Sequence, residues 1–196
     1  MLRVGITGGI GAGKTLVCKL FNQLGIPVYD SDNAARELMN KDISLKEQLI
    51  TTFGNTTYID GVLNRKWLSD LLFKDIHQLQ KLNAIVHPAV MKNFQCWEEK
   101  QKNVPYIIRE AAILFESGTD KDLDHIILVD APVKVRIQRV QKRDQRSAEE
   151  IKFIISNQWS SEKKRTLADT IIENDDHHLI IPQLLFIHQK LLKYCE

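Results

Sequence analysis

The 196-residue sequence has little of what marks several large protein classes. Its three cysteines, Cys18, Cys96 and Cys195, are widely scattered and form no CxxC pair. That pattern suggests neither a disulfide framework nor a zinc site, and it suits a reducing compartment. No apolar run approaches the roughly 18 residues needed to cross a bilayer, so no membrane partner is expected. Met1-Leu2-Arg3 leads straight into a strand pattern, without the cationic flank and cleavage site of a signal peptide, so a cytoplasmic location is expected. The net charge of +2 is too small to suggest a nucleic-acid partner. No internal repeat or low-complexity linker is present, which leaves one domain with insertions as the expectation. At 43% hydrophobic and 27% charged residues, the chain can bury a substantial core.

The charge that is present is unevenly placed. Between Lys134 and Arg165 there are ten Lys or Arg residues against four Asp or Glu, so the remainder of the chain is net acidic. Such a segment is either a solvated helical face or a local site for a polyanion.

Leu2-Arg3-Val4-Gly5-Ile6-Thr7 has the pattern of a short buried strand. Val17, Leu20, Phe21 and Leu24 then fall on one face of a helix, Gly25 stops it, and Ile26-Pro27-Val28-Tyr29 begins a second strand. Strand, helix and strand within thirty residues predict a parallel sheet with a right-handed crossover. From Ser31 to Lys102 the pattern is mostly helical, with Asn64 and Asp75 as N-caps and His87-Pro88 as a break that restarts the helix. Tyr106-Ile107-Ile108, Ile126 to Val129 and Thr170-Ile171-Ile172 read as further buried strands, and Pro182 to Tyr194 as a closing helix. The alternation predicts an α/β fold, a parallel sheet flanked by helices, with a helical excursion after the second strand and a basic helical excursion after the fourth.

Gly8-Gly9-Ile10-Gly11-Ala12-Gly13-Lys14-Thr15 satisfies G-x-x-x-x-G-K-[ST] between a predicted strand and a predicted helix. The glycines let the backbone curl so that successive N–H groups point at phosphates, and the helix adds its positive end. Residues Gly9 to Thr15 are therefore the candidate ATP-binding loop. Lys14 supplies a charge for the β- and γ-phosphates, and the Thr15 hydroxyl can ligate Mg²⁺. A GTPase switch is excluded by the absence of D-x-x-G and by the wrong spacing in Asn40-Lys41-Asp42. A small-molecule kinase fits best. A kinase also needs a carboxylate to accept the acceptor's proton, and Asp30-Ser31-Asp32 ends the second strand where ligands of parallel sheets gather. Either aspartate can serve, or one can cap the following helix.

The loop, followed by Asp30-Ser31-Asp32-Asn33-Ala34-Ala35-Arg36, resembles the dephospho-coenzyme A kinase family. The similarity runs on through His87-Pro88, Leu114-Phe115-Glu116, Gln138-Arg139, Arg143-Asp144, Gln158, Lys164-Arg165, Ala168-Asp169 and Asn174. It implies transfer of the ATP γ-phosphate to the ribose 3′-hydroxyl of dephospho-coenzyme A, with ATP, Mg²⁺ and that acceptor as the small-molecule partners. It casts Asp32 as the base, Arg36 and His87 as acceptor contacts, and Arg139 or Arg143 as the lid arginine meeting the transferring phosphate. It places Asn174 near the adenine, and it implies a P-loop kinase-type parallel sheet flanked by helices, with the core at 1–30, 104–138 and 166–196, a helical substrate-binding insertion for the acceptor at 31–103 and a basic helical lid at 139–165. Two positions depart from the family pattern: Ala112-Ile113-Leu114 stands where Pro-Leu-Leu is usual, and Glu110 where aspartate is common. Glu110 is a candidate acid toward Mg²⁺ through water. Glu116 reads as a surface or capping residue, and Trp67, Trp97 and Trp159 as packing residues. The alternatives are a kinase for another small metabolite and a nucleotide-binding regulator without turnover. The second has no use for Asp32.

Overall fold

The computed structural model describes residues 1–195, save the side chains of Phe73, Lys74 and Ile76; residue 196, the end of the expected core, lies outside the described residues. Two compact units are present, residues 1–30 with 101–196, and residues 31–100.

The first unit holds a five-stranded parallel sheet. Its strands are β1 (Leu2–Thr7), β2 (Val28–Asp30), β5 (Tyr106–Glu110), β6 (His125–Asp130) and β7 (Thr170–Glu173), in the order β2-β5-β1-β6-β7. Val4 in the central strand is paired with Ile108 on one side and His125 on the other. Every residue of β5 and β6 is buried, as expected of parallel strands covered on both faces. On one face α1 (Lys14–Gln23) and α9 (Ile180–Tyr194) bury Val17, Phe21, Leu184, Ile187 and Leu191 against Val4, Ile6, Ile108, Ile127 and Ile172. Each such side chain contributes about 1.5–3 kcal/mol by leaving water. On the other face Leu114 and Phe115 pack with Ile126. β2 begins at Val28, past Pro27, and α9 begins two residues before Pro182.

The basic segment forms three helices of this unit, α6 (Val133–Asp144), α7 (Ala148–Ser156) and α8 (Ser161–Arg165). Gln145 ends α6 in the left-handed conformation, Ser147 and Glu150 close a capping box on α7, and Ser160 caps α8.

The second unit contains α2 (Ser31–Lys41), α3 (Ile43–Phe53), α4 (Arg65–Lys74) and α5 (Ile76–Glu98), with a small antiparallel hairpin of β3 (Tyr58–Ile59) and β4 (Val62–Leu63). Asn64 and Asp75 cap α4 and α5 as the sequence predicts. Pro88 does not break the chain, and α5 runs through it. The reason is visible in Leu82, Val86, Val90 and Phe94, which are buried at four-residue intervals on both sides of the proline. Breaking the helix would expose that stripe, and its burial outweighs the roughly 3 kcal/mol an interior proline costs. Among the described residues no helix is long and apolar enough to cross a membrane.

Candidate active site

The loop from Gly8 to Lys14 connects the central strand to α1 and closes on itself through Ala12 N–H donating to Gly9 O at 3.1 Å. Gly13 caps α1 at φ 99°, and a Cβ there would lie 2.1 Å from Asn174 Nδ2, so both backbone and space require glycine. Asn174 Nδ2 donates to Ala12 O at 2.7 Å, which makes Asn174 a buttress of the loop. Among the described residues no protein acceptor meets the N–H groups of Gly11, Gly13, Lys14 or Thr15. Four unclaimed N–H groups at a helix N-terminus form an anion site. Lys14 Nζ lies 3.4 Å from Glu110 Oε1, with both side chains nearly buried. Cys18, one turn into α1, is an inert packing residue, because burial and then the Glu110 charge push its thiol far above the usual range.

The basic helices meet this loop with three side chains. Arg139 reaches Gly11 O at 3.5 Å and Asn174 Oδ1 at 3.2 Å, and it pairs with Asp176. Arg136, one turn earlier on α6, donates from Nε to Ile10 O at 2.9 Å and is only 4% exposed. Gln158, between α7 and α8, accepts from Ile10 N–H at 3.0 Å. Ile10 is thus held through both its N–H and its carbonyl. Arg143 takes a different direction: its Nε and Nη2 hold the adjacent Asp144 at 2.7 and 2.8 Å, and its side chain is 61% exposed. That pairing holds the Arg143 pKa above its ordinary value. Sequence reasoning named Arg139 and Arg143 and gave no role to Arg136 or Gln158. Only the clustering of basic residues hinted at Arg136.

A buried ion pair anchors the loop that carries Gln158. Lys164, 1% exposed, donates to Ala112 O at 3.0 Å and meets Glu116 Oε1 at 2.8 Å. The same Glu116 oxygen accepts from Trp159 N–H at 2.8 Å, and the Trp159 ring stacks on Phe115. Glu116 is therefore an interior anchor, where the sequence suggests a surface or capping residue, because the extended Lys164 side chain brings a charge inside that needs a partner. Desolvation lowers the Lys164 pKa, and Glu116 opposes that shift. Nearby, Arg165 joins Asp130 at 2.7 Å to Glu173 at 2.7 Å, fixing α8 to the ends of β6 and β7.

Asp32 lies in the first turn of α2, directly after β2, and Arg36 follows one turn later on the same helix face. His87 precedes Pro88 in the middle of α5. Among the described residues no group of three or more His, Cys, Asp or Glu side chains can hold a metal ion. Mg²⁺ fits the oxygen groups that are present, the Thr15 hydroxyl beside the N–H cradle and the Glu110 carboxylate on β5, because it binds through few protein oxygens, substrate phosphates and retained waters.

Comparison with known proteins agrees with this chemistry. Residues 2–179 match the family model described as "Dephospho-CoA kinase". A curated dephospho-CoA kinase of Coxiella burnetii is 37% identical over 100% of both chains, and one of Bacteroides fragilis is 35% identical over 99% of this chain and 97% of its own. A crystal structure of a Thermus thermophilus protein aligns with TM-score 0.81 at 32% identity, covering 98% of this chain and 97% of that one. The dephospho-CoA kinase of Campylobacter jejuni shares the fold at TM-score 0.67 and 22% identity, covering 99% and 98% of the two chains. With a match over nearly its whole length, the chain belongs to the dephospho-CoA kinase family.

Proposed function

We infer that the protein transfers the γ-phosphoryl group of ATP to the 3′-hydroxyl of dephospho-coenzyme A, giving coenzyme A and ADP, the final step of coenzyme A biosynthesis. The observation that carries the reading is the cradle itself: four N–H groups without protein acceptors at the start of α1, with Lys14 beside them, in a chain of this family. Residues Gly9 to Thr15 hold the polyphosphate. The Thr15 hydroxyl would hold Mg²⁺, which when bound would supply neutralisation of the charge on the phosphates. Lys14 is released from Glu110 to the β- and γ-phosphates. Asp32 accepts the proton of the ribose 3′-hydroxyl as its oxygen attacks phosphorus in line, and Arg36 and His87 hold the acceptor. Arg139 or Arg143 stabilises the transferring group, and helices α7 and α8 exclude water that would hydrolyse ATP. Asn174 fixes the loop and borders the nucleotide. The free thiols and the substrates suit the cytoplasm.

The test is ADP release from Mg²⁺-ATP with dephospho-coenzyme A against adenosine, shikimate and pantothenate, followed by phosphorus NMR of the product. Dephospho-coenzyme A should be far the fastest acceptor and carry the new phosphate on its 3′-oxygen. Phosphate at another position, or a faster rate with another acceptor, contradicts the assignment.

A further inference from the structure

Arg136 is a buried cation without a counterion. Its Nε is committed to Ile10 O at 2.9 Å. The four remaining N–H donors of its guanidinium meet no acceptor, and no carboxylate lies within ion-pair distance, among the described residues. The other cations around the loop are paired: Lys14 with Glu110 at 3.4 Å, Lys164 with Glu116 at 2.8 Å, Arg139 with Asp176 and Arg165 with Asp130. Asp130 is the carboxylate whose charge reaches Arg136, but it is already held by Ser161 Oγ at 2.8 Å and by Arg165. Desolvation is the leading influence on Arg136 and lowers its pKa. Lys14 and Arg136 both act on Lys164 as like charges.

An arginine at 4% exposure with no ion-pair partner is costly, and perturbed charges of this kind cluster at functional sites. The guanidinium lies against the phosphate loop itself. A Cβ on Gly9 would stand 2.0 Å from Nη2 and 2.3 Å from Cζ, so the guanidinium occupies the space directly over the second loop position. We propose that Arg136 is a fixed cation of the phosphate site, its uncommitted N–H groups binding the polyphosphate of the nucleotide together with the backbone of the loop. The bound phosphate is the counterion that the apoprotein withholds from this side chain. The assignment rests on reading the loop as the ATP site, and it adds a charge that the lid arginines do not supply.

Arg136→Gln tests it, because the amide retains a donor for Ile10 O and much of the volume while losing the charge. ATP and inorganic pyrophosphate would be titrated calorimetrically, without acceptor, into the unsubstituted protein, Arg136→Gln and Arg136→Lys, alongside unliganded melting curves. The expected result is an unliganded Tm for Arg136→Gln equal to or above that of the parent, with ATP and pyrophosphate bound at least about tenfold more weakly, the scale of one charge-assisted hydrogen bond. Arg136→Lys should recover part of the affinity. Wild-type-like affinity in Arg136→Gln overturns the proposal, and so does a variant that melts earlier or fails to fold, since the charge is then structural. Absence of ATP binding by the unsubstituted protein overturns the loop assignment itself, which separates the two failures.

Discussion

The two units solve different problems with different kinds of residue. In residues 1–30 and 101–196 the polar groups around the phosphate loop are tied to one another: Asn174 to Ala12, Arg136 and Gln158 to Ile10, Glu116 to Lys164 and Trp159. That arrangement is preorganised, which suits a site whose ligand is a compact polyanion and whose catalysis is mainly electrostatic. In residues 31–100 the helices are joined by an apolar stripe on α5, and of the candidate acceptor residues on α2 and α5, Arg36 is exposed while Asp32 and His87 are half-buried. The lesson is that charge stabilisation demands fixed dipoles, whereas recognition of a long, flexible acceptor can be spread along helix faces.

The sharpest way to break this comparison is to ask which lid arginine acts in the transition state. Arg139→Ala and Arg143→Ala differ in what they remove: the first removes contacts to Asp176, Asn174 Oδ1 and Gly11 O, the second the pairing with the adjacent Asp144. Loss of the arginine that meets the transferring group should lower kcat by about 10³-fold, and lysine should restore part of it. Steady-state kinetics at saturating substrates identifies which residue carries the loss. An effect confined to KM in both variants would reduce them to ground-state binding.

Next in size is the interior anchor. Glu116→Ala leaves Lys164 charged and unpaired in the core, a loss of about 3–5 kcal/mol. Denaturant melts should show it, and adding Lys164→Met should return much of the stability. If the single variant melts like the parent, the pair is not an anchor.

Asp32→Asn should reduce kcat by about 10²-fold with ATP affinity little changed, because it removes a proton acceptor and leaves the loop intact. A larger loss in Asp30→Asn, checked by the same kinetics, would exchange the roles of the two aspartates. The smallest effect is expected at Pro88→Ala. Removing the roughly 3 kcal/mol cost of an interior proline in α5, less about 1 kcal/mol for the freer unfolded chain, should gain about 2 kcal/mol, and a melting curve reads it.

How much of this was legible in the sequence depended on distance along the chain. The loop is a contiguous octet, and its chemistry follows from spacing. The caps Asn64 and Asp75 are local and were equally readable. Arg136 and Gln158 act on Ile10 across 126 and 148 residues, so no local pattern could assign them. Pro88 misled because a local rule for breaking helices met a tertiary stripe that overrides it. The β3–β4 hairpin was readable and missed. Asp60-Gly61, both with positive φ, is a strong two-residue turn signal, but it sits in a region whose periodicity is helical on both sides.

The proposed division of labour gives the phosphates to the loop and the acceptor to the helical unit. Calorimetric titration of ATP and of dephospho-coenzyme A, each alone, into Lys14→Ala and Arg36→Ala tests it most directly. Lys14→Ala should weaken ATP and leave dephospho-coenzyme A unchanged, and Arg36→Ala should do the reverse. Equal weakening of both ligands by either variant would contradict the division.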